Sequence, residues 1–237
     1  MSEDAFSEVF DRLTGHRPMP WQWALYRDLF SRGQTPEACD IPTGLGKTSV
    51  LAIWLIARTS GGQGAALPCR LVYVVNRRTV VDQTTAEAKQ IKEAVETGEL
   101  PGLDTLRIST LRGQFADNAE WSADPSRPAI ICGTVDMIGS RLLFEGYRIG
   151  FKSRPLHAGF LGQDALLVHD EAHLEPAFQK LIGTIQCEQG NCRIGEDGTC
   201  VRCKRRDPPR DYRPLHVMAL LKCDEGDGGS DSRAACA

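Results

Sequence analysis

Short apolar runs alternate with amphipathic segments along most of the chain. Runs rich in Val, Ile and Leu are typical of strands buried on both faces of a parallel sheet. The segments between them follow the helical repeat of about 3.6 residues. The predicted strands cover Glu37–Ile41, Arg70–Val75, Thr105–Ser109, Ala129–Cys132, Ala165–His169 and Leu215–Leu220. The predicted helices cover Phe6–Leu13, Trp21–Phe30, Thr48–Arg58, Thr79–Glu96, Val135–Leu143 and Glu175–Ile185.

This alternation of strands and helices predicts an α/β fold with a doubly wound, mostly parallel sheet. Sheets of this kind bind ligands at the carboxyl ends of their strands. Two segments depart from the pattern: a cysteine-rich, basic insert at residues 187–213 and a polar, glycine-rich tail at residues 223–237, which we expect to be disordered. The predicted division is therefore a lobe at residues 1–186, the insert, the last strand of the lobe at 214–222, and the tail.

The overall charge and the N-terminal sequence narrow the class of protein. A net charge of -3 over 237 residues argues against a protein that binds polyanions over its whole surface, but it permits a local basic groove. No apolar run reaches the roughly 18 residues of a membrane span. The N-terminal Met-Ser-Glu-Asp-Ala-Phe lacks the apolar region of a signal peptide. We therefore expect a cytoplasmic protein, in which clustered cysteines suggest a metal before a disulfide.

A glycine-rich turn, Ile-Pro-Thr-Gly-Leu-Gly-Lys-Thr, lies at residues 41–48 between a predicted strand and a predicted helix. This is the context of a phosphate-binding loop. The glycines allow backbone N–H groups to face the phosphates, Lys47 would reach the β- and γ-phosphates, and the Thr48 hydroxyl would bind Mg²⁺. The alternative is a chance glycine-rich turn, since Ile41 stands where the general pattern has glycine. The residues assigned to ATP in this loop are Thr43, Gly44, Leu45, Gly46, Lys47 and Thr48.

A second motif, Asp-Glu-Ala-His at residues 170–173, ends an apolar strand. An aspartate at a strand end can reach Mg²⁺ beside the phosphate loop, which is the role predicted for Asp170. Glu171 would polarise the attacking water as a general base. The four residues could instead form a solvated loop. A metal-binding pair of the phosphohydrolase type, His169 with Asp170, is rejected because no supporting set of His and Asp follows.

The order of the motifs resembles that of the CRISPR-associated helicase of type I interference systems, a DEAH-type member of superfamily 2. Its elements are an upstream Gln, Gly-Leu-Gly-Lys-Thr, Asn-Arg-Arg-Thr-Val-Val-Asp-Gln at 76–83, Gly-Thr-Val-Asp-Met at 133–137, and Asp-Glu-Ala-His. The string at 76–83 is the most family-specific. The resemblance covers roughly residues 15–186 and implies the first RecA-like lobe of an ATP-dependent helicase that travels on single-stranded DNA.

The resemblance also assigns roles to residues outside the phosphate loop. It implies that Gln22 recognises adenine and that His173 couples nucleotide state to the nucleic-acid site. It further implies that a guide-RNA surveillance complex recruits the protein. Two assignments have alternatives: Arg77 and Arg78 could be the solvated start of a helix, and Thr134 could cap a helix as well as contact DNA. The residues implied to contact the DNA backbone are Arg77, Arg78, Thr79, Thr134 and Asp136.

The sequence also departs from the family after the last predicted strand. The family continues with a Ser/Thr-Ala-Thr coupling motif, whereas Lys222-Cys-Asp follows here. Neither a second lobe with its arginine finger nor the nuclease domain follows. We therefore expect a truncated chain, or a reading frame disrupted near Leu221, that binds nucleotide but hydrolyses it poorly. Two other functions stay open: the motor of a restriction or repair helicase, and a non-catalytic fragment that binds nucleotide or DNA.

Four cysteines of the insert have a spacing that could bind zinc. Four thiolates hold Zn²⁺ tetrahedrally, and the last pair has the spacing of a zinc knuckle. The alternative is a flexible insert without metal. The basic residues that follow could face DNA phosphates or be solvated. The cysteines are Cys187, Cys192, Cys200 and Cys203, and the basic residues are Lys204, Arg205, Arg206, Arg210 and Arg213.

Overall fold

The apolar runs of the sequence form a sheet of six parallel strands in the order β1-β6-β5-β2-β4-β3. The computed structural model describes residues 1–99, 106–111, 124, 126–146, 149–190 and 213–221. The strands are β1 Ala38–Asp40, β2 Arg70–Val75, β3 Arg107–Leu111, β4 Ala129–Thr134, β5 Ala165–Asp170 and β6 Leu215–Leu221. The helices are α1 Glu3–Thr14, α2 Pro20–Asp28, α3 Val50–Thr59, α4 Arg78–Ala94, α5 Val135–Leu142, α6 Arg154–Gly162 and α7 Pro176–Gly190.

Side chains of each strand point alternately into two apolar cores. Along β2, Tyr73 and Val75 face a core shared with α1 to α4, whereas Val72 and Val74 face a core shared with α5 to α7. All six residues of β2 are buried. Because both faces of the sheet are covered, its central strands are continuous apolar runs. Polar side chains at the ends of the strands lie along the amino and carboxyl edges of the sheet.

Helix α3 lies deepest in the first core, and residues 50–57 are all buried. The Trp54 indole N–H donates to the Pro68 carbonyl at 3.1 Å, which satisfies its polar atom inside the core. A short 3₁₀ turn at Lys47–Ser49 precedes α3. The phosphate-loop segment therefore leads directly into the most buried helix of the lobe. No helix among the described residues is long and apolar enough to cross a membrane.

The element prediction was right in type and order, with two differences. Helix α6 at Arg154–Gly162 was missed, because its nine residues carry Pro155 in the first turn and only four of them are buried. Helix α7 continues to Gly190, so the predicted boundary at residue 187 lies inside a helix. Residues 191–212 of the predicted insert and the tail at 223–237 lie outside the described residues, and the domain division stays a prediction.

Candidate nucleotide-binding site

The predicted phosphate loop connects β1 to the 3₁₀ turn before α3. Gly44 and Gly46 have φ angles of 84° and 68°, in the left-handed region that side chains disfavour. A Cβ on Gly46 would lie 3.3 Å from Nε2 of Gln22, so the position is also crowded. Two left-handed glycines therefore give the loop its curvature, as the sequence predicts.

Helix α2 holds the loop from one side. The Trp21 indole N–H donates to the Leu45 carbonyl at 3.1 Å, and Nε2 of Gln22 donates to the Ser49 hydroxyl at 2.7 Å. The other end of the Gln22 amide accepts from the Met19 N–H at 2.7 Å. Gln22 is only 4% exposed. Both ends of its amide are thus engaged, which fixes this side chain beside the phosphate loop.

A cleft of about 390 Å³ opens between the phosphate loop, α1 and α4. Its lining combines apolar residues of α1 with polar residues of the loop, and Gln22 lies on its wall. Glu87 and Gln90 contribute from α4. A cleft with an apolar wall and a few polar groups next to a phosphate loop is suited to a planar base attached to a phosphate chain.

Lys47 extends from the loop across the ends of the neighbouring strands. Its ammonium group donates to the Leu221 carbonyl at 2.9 Å. Leu221 ends β6, which lies between β1 and β5 in the sheet. The lysine charge therefore lies at the carboxyl edge of the sheet, near Asp170 at the end of β5, where it opposes the rise in the Asp170 pKa that burial causes.

Asp170 is held at both carboxylate oxygens. The Tyr73 hydroxyl donates to Oδ2 at 3.0 Å, and the Glu171 N–H donates to Oδ1 at 2.9 Å. Burial raises the pKa of Asp170 above its ordinary value, and the Tyr73 hydrogen bond and the Lys47 charge oppose that increase. The carboxylate is therefore fixed in direction as well as in position.

Glu171 adopts a backbone conformation that is uncommon for a residue with a side chain. Its φ and ψ are 51° and 44°, in the left-handed region. Such strain is found more often at functional sites than elsewhere. The sharp turn ends β5 and begins a 3₁₀ turn at Ala172–Leu174. Glu171 thus follows Asp170 directly at the carboxyl edge of the sheet, and its side chain is half-buried.

The oxygen donors near the loop are of the type that Mg²⁺ prefers. Asp170 offers a carboxylate and Thr48 a hydroxyl, both hard ligands. Asp170 ends β5, and Thr48 lies in the 3₁₀ turn at Lys47–Ser49. Thr48 and Asp170 fit the metal, although their role as its ligands stays a prediction.

His169 lies on the opposite side of β5 from Asp170. Its Nδ1 is 2.7 Å from Oε1 of Gln179, and its ring packs edge-on against Phe178 of α7. Burial lowers the pKa of His169. This geometry agrees with rejecting a paired His169–Asp170 metal site, because the two side chains face different helical layers. His173 is exposed within the 3₁₀ turn at Ala172–Leu174, and its coupling role stays a prediction.

The residues predicted to contact nucleic acid follow two neighbouring strands. Arg77, Arg78 and Thr79 are exposed at the start of α4, directly after β2. Thr134 ends β4, where it pairs in register with Val75 of β2, and its hydroxyl caps α5 by accepting from the Met137 N–H at 3.4 Å. The capping role is confirmed. Asp136 is exposed in the first turn of α5.

The zinc prediction is not tested by the structure. Cys187 is exposed on α7, and the other three cysteines of the predicted site lie outside the described residues. Within the ranges that the structure describes, no group of three or more His, Cys, Asp or Glu side chains could hold a metal ion.

Sequence reasoning missed Tyr73 and Glu87, which adjoin the predicted site. The Tyr73 hydroxyl donates to Asp170 from β2, and Glu87 lines the cleft beside the phosphate loop. A signal for Tyr73 was present in the sequence. It is the one hydroxyl-bearing residue in the apolar run Arg70–Val75, and a buried tyrosine needs a polar partner.

The fold and the turn of the phosphate loop define a RecA-like helicase lobe. The sequence pattern of the family "Type III restriction enzyme, res subunit" matches residues 15–199. The chain belongs to this family, which is a helicase family. A search of curated protein sequences gives no match.

Solved structures of helicases are similar to this chain in fold. DEAD-box helicase Mss116 bound to ssRNA and UDP-BeF has 16% identity and a TM-score of 0.50, with 93% of this chain and 40% of that one covered. The Hef helicase domain of Pyrococcus furiosus has 18% identity and a TM-score of 0.45, with 87% and 33% covered. T. fusca Cas3 with ADP has 16% identity and a TM-score of 0.48, with 90% and 22% covered. The chain thus spans less than half the length of these structures.

Proposed function

We propose that this chain is the ATP-binding lobe of a nucleic-acid motor that moves along single-stranded DNA, of the type that serves CRISPR interference. One observation carries the proposal. The glycine-rich loop with Lys47 and the Asp170–Glu171 turn converge at the carboxyl edge of one sheet, although more than 120 residues separate them along the chain. Phosphate-binding and metal-binding groups at one edge form a nucleotide hydrolysis site.

Each group has a role that follows from its chemistry. The loop N–H groups and Lys47 bind the phosphates, and Gln22 on the wall of the cleft recognises the adenine. Thr48 and Asp170 would hold Mg²⁺, which would neutralise phosphate charge. Glu171 accepts a proton from the attacking water or orients it. An arginine from a second lobe raises the rate in motors of this kind by about 10³–10⁵. We therefore expect this lobe alone to bind ATP and to hydrolyse it slowly.

The nucleic-acid partner is proposed from the adjoining strand ends. Arg77, Arg78 and Thr79 are exposed after β2, whereas Thr134, at the end of the neighbouring β4, is buried. Exposed guanidinium and hydroxyl groups in such an arrangement grip phosphates without recognising base sequence. The Asn-Arg-Arg-Thr string at 76–79 is what favours CRISPR interference, and with it a guide-RNA surveillance complex as the recruiting partner.

A second candidate is the motor subunit of a restriction enzyme. The family match over residues 15–199 favours it, because the description of that family names the res subunit of type III restriction enzymes. Both candidates use the same nucleotide site and differ in what recruits the motor to DNA. Co-purification separates them: a complex that contains guide RNA supports CRISPR interference, and a DNA methyltransferase partner supports restriction.

The first test is phosphate release from Mg-ATP, with and without single-stranded DNA, together with direct nucleotide binding. We expect nucleotide to bind and turnover to be slow. Lys47→Ala should abolish binding, because the variant loses the cation that holds the phosphates. Glu171→Gln should retain binding and reduce any turnover by about 10²–10⁴, the usual contribution of a general base.

The outcomes of this test separate the proposals. Binding without turnover, whatever DNA is added, would indicate a non-catalytic nucleotide-binding lobe. Turnover stimulated by DNA and lost in Glu171→Gln would show that the chain completes its own site. Nucleotide binding that is absent, or that does not depend on Lys47, would reject the proposed function.

A further inference from the structure

Tyr73 places a buried hydroxyl group directly beneath the proposed magnesium site. The side chain is completely buried in β2, the central strand between β5 and β4. Its neighbours in the strand, Val72 and Val74, are apolar. Burying a hydroxyl is unfavourable unless it is hydrogen-bonded, and phenylalanine would fill the same space without that penalty. Packing alone therefore does not account for a tyrosine here.

The Tyr73 hydroxyl fixes the direction of the Asp170 carboxylate. It donates to Oδ2 at 3.0 Å, while the Glu171 N–H donates to Oδ1 at 2.9 Å. The carboxylate cannot rotate without losing one of these hydrogen bonds. Each carboxylate oxygen has two lone pairs, so each keeps one for a further partner. Tyr73 and the Glu171 N–H thus determine where the free lone pairs of Asp170 point.

The surroundings of the hydroxyl keep it protonated. Burial raises the pKa of Tyr73 well above its ordinary value, and the Asp170 charge adds to this. The phenol therefore keeps the proton that it donates to Asp170.

We infer that Tyr73 is a positioning residue for Mg²⁺, which holds the Asp170 carboxylate in the orientation that binds the metal together with nucleotide. The inference rests on the proposed function, because it assumes that Asp170 is a metal ligand. Tyr73 acts through Asp170. Partners that orient metal ligands typically contribute about 10- to 100-fold to metal affinity.

The test is Tyr73→Phe, which removes the hydroxyl and keeps the ring. The matched control is Tyr26→Phe, since Tyr26 is also buried, at 2% exposure, but stacks on Phe6 in α1, away from the proposed metal ligands. ADP affinity is measured with EDTA and with Mg²⁺, and Mn²⁺ affinity in the presence of ADP is measured from the spin-resonance signal of free Mn²⁺. Tyr73→Phe should weaken Mn²⁺ binding about tenfold and change the affinity for ADP in EDTA by less than about twofold. Tyr26→Phe should change neither.

The result separates this inference from the proposed function. If the wild-type chain does not bind ADP with Mg²⁺, the proposed function fails. If the wild-type chain does so and Tyr73→Phe retains full Mn²⁺ affinity, only the inference is overturned. An equal loss of ADP affinity with and without metal would also overturn it, because that result indicates a general structural role.

A second measurement decides the matter if Tyr73→Phe does not fold. The chain has four tyrosines, so 3-fluorotyrosine labelling gives four fluorine resonances. Phenylalanine variants at the other three positions assign the Tyr73 signal by elimination. We expect this signal to shift when Mg²⁺ is added to the ADP complex. A Tyr73 signal that does not respond to Mg²⁺ would overturn the inference.

Discussion

At the scale of single residues, the proposed nucleotide site contains side chains that are held by specific hydrogen bonds. Gln22 is an example, since both ends of its amide are hydrogen-bonded, to Met19 and to Ser49. The side chain is therefore oriented in advance and needs no reordering to meet a base. Preorganisation of this kind lowers the entropy lost on binding.

Gln22→Ala should lower ATP affinity by about 5- to 30-fold, equivalent to one or two hydrogen bonds, and should affect GTP affinity much less. The reason is that a fixed glutamine amide matches the donor and acceptor pattern of adenine. Competition titrations with both nucleotides measure the difference. Gln90→Ala, on the α4 wall of the same cleft, serves as the control and should leave the ATP preference unchanged. Equal losses for ATP and GTP would show that Gln22 only supports the loop.

At the scale of elements, the parallel sheet gathers loops that are far apart in sequence. Every strand-to-helix turn named in the proposal lies at the carboxyl edge, whereas Arg107 and Arg127 lie at the amino ends of β3 and β4. The strand order also divides the carboxyl edge, with the residues proposed to bind nucleotide beside β1, β6 and β5 and the exposed arginines beside β2.

Replacing both Arg77 and Arg78 with alanine should weaken binding to single-stranded DNA of any sequence. If each arginine contacts one phosphate, the slope of log affinity against log salt should decrease by about 1.4, since each contact contributes about 0.7 on a single strand. Fluorescence anisotropy across a salt series measures that slope. The double variant of Arg107 and Arg127 removes the same charge from the other edge and should change the slope little. Equal effects of the two double variants would contradict a defined DNA path.

At the scale of the whole molecule, the sheet buries or half-buries ionisable groups that link its stability to pH. His216 in β6 has its Nδ1 3.2 Å from the Thr35 hydroxyl, and burial lowers its pKa below the ordinary value of 6.5. The unfolded chain therefore binds this proton at a higher pH than the folded chain does. Stability from this group is present above the ordinary pKa and is lost as the pH falls below it.

We expect the free energy of unfolding to fall between about pH 7.5 and about pH 5.5, and less steeply in His216→Gln, which can keep a hydrogen bond to Thr35 but does not titrate. Urea denaturation at a series of pH values measures the slope. The raised pKa of Asp170 has the opposite effect on stability, because the folded chain binds this proton at a higher pH than the unfolded chain does. This effect begins at a lower pH, near the ordinary carboxyl pKa of 3.8. The control is His16→Gln, because the His16 side chain is exposed. A slope that His216→Gln leaves unchanged would show that this histidine does not link stability to pH.

Much of the fold follows from local pattern. The continuous apolar runs predicted the strands, and the 3.6-residue repeat predicted six of the seven described helices. Helix α6 escaped because a short helix that begins near a proline and buries four residues leaves a weak periodic signal. The glycine-rich loop and the Asp-Glu pair were also evident from sequence, because each is a contiguous motif next to a strand whose chemistry depends on residue type.

The sequence by itself determined the type and order of the elements, the parallel α/β class and the phosphate-loop and Asp-Glu motifs. Only the tertiary structure decided which strand ends adjoin. It placed β6 between β1 and β5, which brings Lys47 to the Leu221 carbonyl 174 positions away, and it brought Tyr73 to Asp170 across 97 positions. The physical reason is that apolar runs specify burial without specifying neighbours. Strand order is chosen by the packing of the whole core, and long-range polar contacts are a consequence of that order.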